Sequence, residues 1–170
     1  MLFRSVSRPD GTSSVSYQLE YPDWWGGSPD ASKAATARMR SRASAYALYV
    51  MAKGGRGDLS RLRWWHDVQM KSEGSPLAIA QVGAGLAMMG DQARARDALQ
   101  HAAAAVGYKR PLLQLGPFVF TDDDDWYQSP LRDLAGVIAL AYEAGQPDIA
   151  RSLQDRLDGA VKDQIGRAHV

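Results

Sequence analysis

Few side chains in this sequence are of a type that could do chemistry, and their spacing limits what that chemistry would be. Asp122-Asp123-Asp124-Asp125 is the densest charge cluster. Calcium takes roughly six to eight oxygens from a loop that turns back on itself, with spaced acids and a glycine. An unbroken run of acids lacks that spacing and reads as a solvated loop. Trp24-Trp25 and Trp64-Trp65 could stack on a sugar or a base. On a helix, successive residues point about 100° apart, so at most one of Trp64 and Trp65 faces a given surface. Core packing with one ring partly exposed is the favoured reading. His66 and His101 have no partner at metal-ligand spacing on the same helix and sit beside no serine in a nucleophile motif. They read as surface or helix-end histidines. Glu20, Asp23 and Asp30 could form an acid/base pair for a sugar-cleaving site, but the spacing is unspecific. Cysteine is absent, which excludes disulfides, thiolate nucleophiles and cysteine metal sites within these residues. No catalytic, metal-ligating or cofactor-binding residue is assigned, and no cofactor is expected.

The elements around these residues are written more plainly. Ser-Pro precedes an alanine-rich run three times, at Ser28-Pro29, Ser75-Pro76 and Ser129-Pro130. Serine accepts a hydrogen bond from an orphan N–H of the first turn. Proline stands where its missing N–H costs nothing. The first helix is predicted over Pro29–Lys53, with Ala35, Met39, Ala43, Tyr46 and Val50 as its buried face and a break within the basic stretch Arg38–Arg42. Gly54, Gly55 and Gly57 end it. Asp58 caps a second helix to about Lys71, with Leu59, Leu62, Trp65 and Val68 on one side. The third, Leu77–Met89, is apolar on two faces (Ile79, Val82, Leu86, Met89 and Leu77, Ala80, Ala84, Ala87), so it packs between neighbours. Gly90-Asp91 is a stop followed by a start, making an antiparallel hairpin with a fourth helix, Gln92 to about Val106. That helix points Ala95, Ala98, Leu99, Ala102 and Val106 inward. Gly107–Gln128 is a long connection, with Phe118-Val119-Phe120 as a candidate strand. The fifth helix, Leu131–Ala144, buries Leu134, Val137, Ile138 and Ala141. The last begins at Pro147 and buries Ile149, Leu153 and Leu157.

Composition agrees with this reading. In 170 residues the hydrophobic share is 45% and the charged share 23%, values ordinary for one globular domain or part of one. A formal net charge of +1, with basic residues dispersed, points away from nucleic acid. No apolar run has the length of a membrane span, and no secretory leader is recognisable in Met1–Asp10. The two ends look foreign. Ile165-Gly166-Arg167-Ala168-His169-Val170 resembles a translated sequencing adapter, and Met1-Leu2-Phe3-Arg4-Ser5 resembles its reverse complement. The expected organisation is therefore adapter-derived tails at 1–5 and 165–170, a loop-rich segment at 6–28 with a short strand at Val15–Glu20, and a helical domain at 29–164. On that expectation the native part is cut from a longer gene at both sides.

Three stretches taken together resemble the thioester-containing helical domain of bacterial alpha-2-macroglobulins. They are Ala45–Gly55 with Asp58–Arg63, then Ser75–Ala78 continued through Gly83–Ala95, then Tyr127-Gln128-Ser129-Pro130-Leu131-Arg132-Asp133. Gln128 stands where the family usually has glycine. Coverage is about Ala45–Leu157. The resemblance implies an all-α fold of helical hairpins forming part of an α/α toroid, an incomplete ring. It implies a non-enzymatic fragment of a large periplasmic or cell-envelope protein that traps proteases. Its partners would be proteases, through the full-length parent, and other domains of the same chain, with a membrane reached only through an anchor on the parent. In the family an internal thioester, made from a Cys-x-Glu-Gln motif, acylates the trapped protease. That motif lies N-terminal to the stretch matched here and does not occur in this sequence. Tyr127, Ser129, Leu131, Arg132 and Asp133 occupy family motif positions, and their role reads as structural: helix cap, core anchor and first-turn charges.

Two other functions compete. A tetratricopeptide-like scaffold would bind peptides or proteins in a concave groove. It should repeat at about 34 residues, and the connection Gly107–Gln128 breaks that period. An enzyme on a helical toroid, such as a terpene cyclase or a glycosidase, needs metal-binding acids or a paired acid and base, and no such pair is apparent.

Overall fold

The structure is a computed structural model that describes the backbone of residues 2–7, 13–18, 29–106 and 130–168, and side chains over 36–106, 132–159 and at 162. The chain divides into two compact units, Met1–Ser44 and Ala45–Val170.

The first unit pairs β1 (Leu2–Ser7) with β2 (Ser13–Gln18) in an antiparallel hairpin, Phe3 opposite Tyr17 and Ser5 opposite Val15. β1 was not expected, while residues 8–12 and 19–28 of the segment read as loop-rich lie outside the described residues. In β2, Val15 and Tyr17 alternate with Ser14 and Ser16, the period of a strand. β1 also covers most of the tail set aside as foreign. The expected strand at Val15–Glu20 is found shifted toward the N-terminus. Helix α1 (Pro29–Lys53) begins in this unit, runs on into the second, and shows no break at Arg38–Arg42.

The second unit is all-α. After the end of α1 come α2 (Leu59–Trp64), α3 (Pro76–Met88), α4 (Gln92–Ala105), α5 (Pro130–Glu143) and α6 (Pro147–Ala168). α3 packs on α4 and on α5, α5 on α6, and α4 also touches α5 and α6. Two hairpins are thus laid side by side. Three helix ends share one device. Gly55, Gly90 and Gly145 take positive φ (70°, 87° and 70°). The next N–H then bonds back five residues: Arg56 to Met51, Asp91 to Leu86 and Gln146 to Ala141 (2.8–2.9 Å). This closure of orphan carbonyls needs a left-handed residue, which glycine supplies without strain. Ser75 caps α3 by accepting from the Ala78 N–H, as its Ser-Pro signal predicts.

The core runs through all five helices of this unit and the C-terminal part of α1. Ala95, Ala98, Leu99, Ala102 and Val106 are buried as expected, and so are Leu134, Val137, Ile138 and Ala141. Nearly all of α3 is enclosed, and its glycines set the spacing. A Cβ on Gly83 would lie 3.1 Å from Leu99 Cγ and 3.2 Å from Ala98 Cβ. α3 and α4 approach so closely there that a larger residue would require Leu99, Ala98 and the Ala95 carbonyl to give way. Leu157 is half-buried, at the margin.

The face of α1 is a correction. Tyr46 and Val50, expected inside, are 56% and 46% exposed, while Ala45, Leu48 and Ala52 are buried. Both stripes step by three and four residues, so periodicity alone does not choose between them. Close approach does: a Cβ on Gly57 would stand 3.0 Å from Ala52 Cα, and one on Gly85 would stand 3.7 Å from Ala52 Cβ. A tyrosine or valine would not fit where Ala52 lies. Gly107–Gln128, with its candidate strand, lies outside the described residues.

Candidate functional site

The densest polar construction in the described residues forms where α2 loses its regular period. Asp58 caps the helix, its Oδ1 accepting from the Arg61 N–H at 3.1 Å. After Trp64 the chain widens into a π turn, Trp65–Gln69, then tightens into a 3₁₀ turn, Met70–Ser72. The Met70 N–H bonds to the Trp65 carbonyl, five residues back. A π turn shifts the phase of everything after it, and such turns are frequent at functional sites. Trp65 and Met70 accordingly share the buried side, at 1% and 8% exposure. Val68, expected inside on a regular α period, is 52% exposed. Of the tryptophan pair, Trp65 is in the core and Trp64 is 55% exposed, as expected for adjacent helical residues. The Trp65 indole N–H has no acceptor.

His66 is the chief residue that sequence reasoning misplaced. It is buried, at 9% exposure, not a surface or helix-end residue. Its Nδ1 lies 2.7 Å from Asp67 Oδ1 and its Nε2 lies 2.8 Å from Asp97 Oδ2 on α4. Arg94 donates to both oxygens of Asp67, from Nε at 3.0 Å and from Nη2 at 3.2 Å. Arg94 Nη1 reaches Asp91 Oδ2 at 3.3 Å, and Arg63 Nε donates to that same oxygen at 2.6 Å. Asp91 meanwhile caps α4 through the Arg94 N–H. A chain of alternating basic and acidic side chains, Arg63–Asp91–Arg94–Asp67–His66–Asp97, therefore fastens the end of α2 to α4. The Arg94 guanidinium first, and His66 second, hold the Asp67 carboxyl at about 2, below its ordinary 3.8. Arg63 lowers Asp91 in the same way. A weak signal was present in the sequence: His66 and Asp67 follow Arg63 by three and four residues, and Asp91, Arg94 and Asp97 follow one another at three-residue steps. Only a known register between the two helices would have made it readable.

A second cluster ties α1 to α5. The Tyr49 hydroxyl donates to Glu143 Oε2 at 2.6 Å, and Lys53 Nζ donates to the Tyr49 oxygen at 3.1 Å and meets Glu143 Oε1 at 2.5 Å. Burial, then the Glu143 hydrogen bond, pushes the Tyr49 phenol up. The three side chains fasten the end of α1 to the end of α5. Arg96 adds a third tie, donating to Gln146 Oε1 at 2.6 Å and pairing with Asp148 at the start of α6. Arg156 on α6 closes the end of α4, donating to the Ala103 and Val106 carbonyls at 3.1 and 2.9 Å.

The motif residues are distributed as follows. Tyr127 and Ser129 lie outside the described residues. Leu131 stands in the first turn of α5. Arg132 Nη2 pairs with Asp133 Oδ1 at 3.1 Å. Asp133, expected as a first-turn charge, is in that turn but buried, at 6% exposure. Asp122–Asp125, Trp24, Trp25, Glu20 and Asp23 lie outside the described residues. Asp30 is in the first turn of α1, and His101 is exposed on α4. Among the described residues no group of three or more His, Asp or Glu side chains is arranged to hold a metal ion, and no helix is long and apolar enough to cross a membrane. No family model, curated protein or solved structure matches the chain.

Proposed function

We propose that this chain is part of the helical, thioester-type domain of an alpha-2-macroglobulin-like protease-trapping inhibitor, a scaffold whose covalent chemistry belongs to its parent. One observation carries the reading. Two helical hairpins lie side by side, α3/α4 and α5/α6, yet α4 ends at Ala105 and α5 begins only at Pro130. A tetratricopeptide-like array joins successive hairpins by short turns at a fixed period. A connection of this length suits a ring of hairpins whose links reach between inner and outer layers. The resembling stretches support the reading by coinciding with helix ends: Ala45–Gly55 with the end of α1, Ser75–Ala78 and Gly83–Ala95 with the start of α3 and its turn into α4, and Leu131–Asp133 with the first turn of α5. On this reading the charge chain from Arg63 to Asp97 holds neighbouring helices in register and touches no substrate.

The test uses the parent protein, with its upstream coding sequence. Incubated with trypsin, the parent is expected to trap the protease so that it no longer cleaves protein substrates. Trypsin that keeps full activity on protein substrates overturns the proposal. So do coordinates showing the hairpins of the parent stacked at constant rise in an open superhelix.

A further inference from the structure

His66 is more than another strut in the charge chain, because its two contacts cannot both be made by a neutral ring. A neutral imidazole has one N–H and one lone pair, and only the protonated ring donates from both nitrogens. Here both nitrogens face carboxylates, Asp67 at 2.7 Å and Asp97 at 2.8 Å. We propose that His66 is a proton-operated clasp between the π turn after α2 and helix α4, closed when both ring nitrogens carry hydrogen and released at Asp97 when one does not.

The surrounding charges decide which contact gives way. Asp67 accepts from Arg94 through both oxygens and keeps those partners whatever the ring does. The same guanidinium holds the Asp67 carboxyl at about 2, so it has no proton to lend across the range in which histidine titrates. A ring with a single hydrogen is therefore best placed with that hydrogen on Nδ1, toward Asp67. Its Nε2 lone pair then opposes the Asp97 carboxylate. The Asp97 side chain is 62% exposed and is free to turn into water. Few other charges bear on the ring. α3, packed against the π turn, has no ionisable side chain. On α2, Arg63 acts on Asp91, and Arg61 pairs with Asp58. Lys71, on the following 3₁₀ turn, and His101, one turn beyond Asp97 on α4, are both exposed. The site has the parts of a switch: a buried imidazole between two carboxylates and a locally irregular helix that it fastens. The inference does not depend on the family proposed above.

The test is amide hydrogen exchange on the whole chain at pH 5.5 and pH 8, expressed as protection factors to remove the intrinsic pH dependence of exchange. The comparison is between the wild type and Asp97→Asn. An asparagine amide can donate to the lone pair that Asp97 would repel. Protection across Trp65–Ser72 is expected to fall about two- to fivefold in the wild type at the higher pH, the range for an ion pair with one exposed partner. In Asp97→Asn it should hold steady or rise. Amides of Leu134–Ala141 on α5 should respond alike in both proteins. An equal fall in the variant, or none in the wild type, overturns the clasp. Should Asp97→Asn fail to fold, nitrogen chemical shifts of His66 in the wild type decide. Two N–H nitrogens at pH 5.5 and a lone pair on Nε2 at pH 8 support the clasp. A ring unchanged between the two pH values overturns it.

Discussion

The hairpin α3/α4 and the end of α2 are joined by one charge chain but built on different terms. In the hairpin every level agrees. Serine and proline start α3, Gly90 ends it, Asp91 starts α4, and the inward residues of α4 fall on one regular period. At the end of α2 the levels conflict. The helix widens after Trp64, buries an indole N–H with no acceptor and encloses a histidine between two acids. Local agreement across propensity, capping and packing marks the part of a fold that specifies itself. The conflicts collect where two elements must be held to each other and the holding can change. Regular packing gives this unit its shape, and the irregular turn gives it the one adjustable contact we identify.

The comparison is most easily broken in the hairpin. Leu99 is fully buried and packs against Gly83. Leu99→Ala is expected to lower unfolding free energy by about 2–5 kcal/mol, measured by urea denaturation. A loss under about 1 kcal/mol would show the hairpin to be loosely packed. Trp65→Phe sharpens the contrast from the other side. The exchange gives up apolar volume but relieves an indole N–H whose unmet hydrogen bond costs about 1–3 kcal/mol. The two should nearly cancel, leaving stability within about 1 kcal/mol of wild type. A much larger loss would mean that the indole finds an acceptor.

The smallest effect is an acid limb. Asp67 is held at about 2 against an ordinary 3.8, so its folded form binds a proton less readily than its unfolded form. Its contribution is complete above about pH 4 and is lost as pH falls toward 2. The pair is open to solvent, so the effect is small and screened by salt. Asp67→Asn should flatten that limb in an acid titration followed by circular dichroism and leave the midpoint near neutral pH little changed. An unaltered acid limb would show that the acid sensitivity arises elsewhere.

How much was legible divides along the same line. The inward residues of α4 and α5 were read correctly from spacing, because each helix has one apolar stripe. α1 has two stripes of equal periodicity, and the bulky one was chosen, when only the alanine stripe lets the helix come close to Gly57 and Gly85. Val68 was placed inside because a regular helix was assumed through a π turn. His66 was read as a surface residue because a histidine's burial depends on partners far along the chain, here Asp97 on another helix. For the motif residues, Asp133 was placed correctly in the first turn of α5, but nothing local announces that it is buried.

The sequence alone settled the starts of α2, α3 and α4 at Asp58, Ser75 and Asp91 and the ends of α1, α3 and α5 at Gly55, Gly90 and Gly145, since caps and left-handed glycines act through bonds within a few residues of themselves. It likewise settled that the helical unit would be built of alanine-rich, closely spaced hairpins. Which face of α1 turns inward, where α2 changes period, and which carboxylates meet His66 were decided by tertiary structure. These depend on the distance and register between helices, which arise only when separate elements pack and their volumes and charges are brought together.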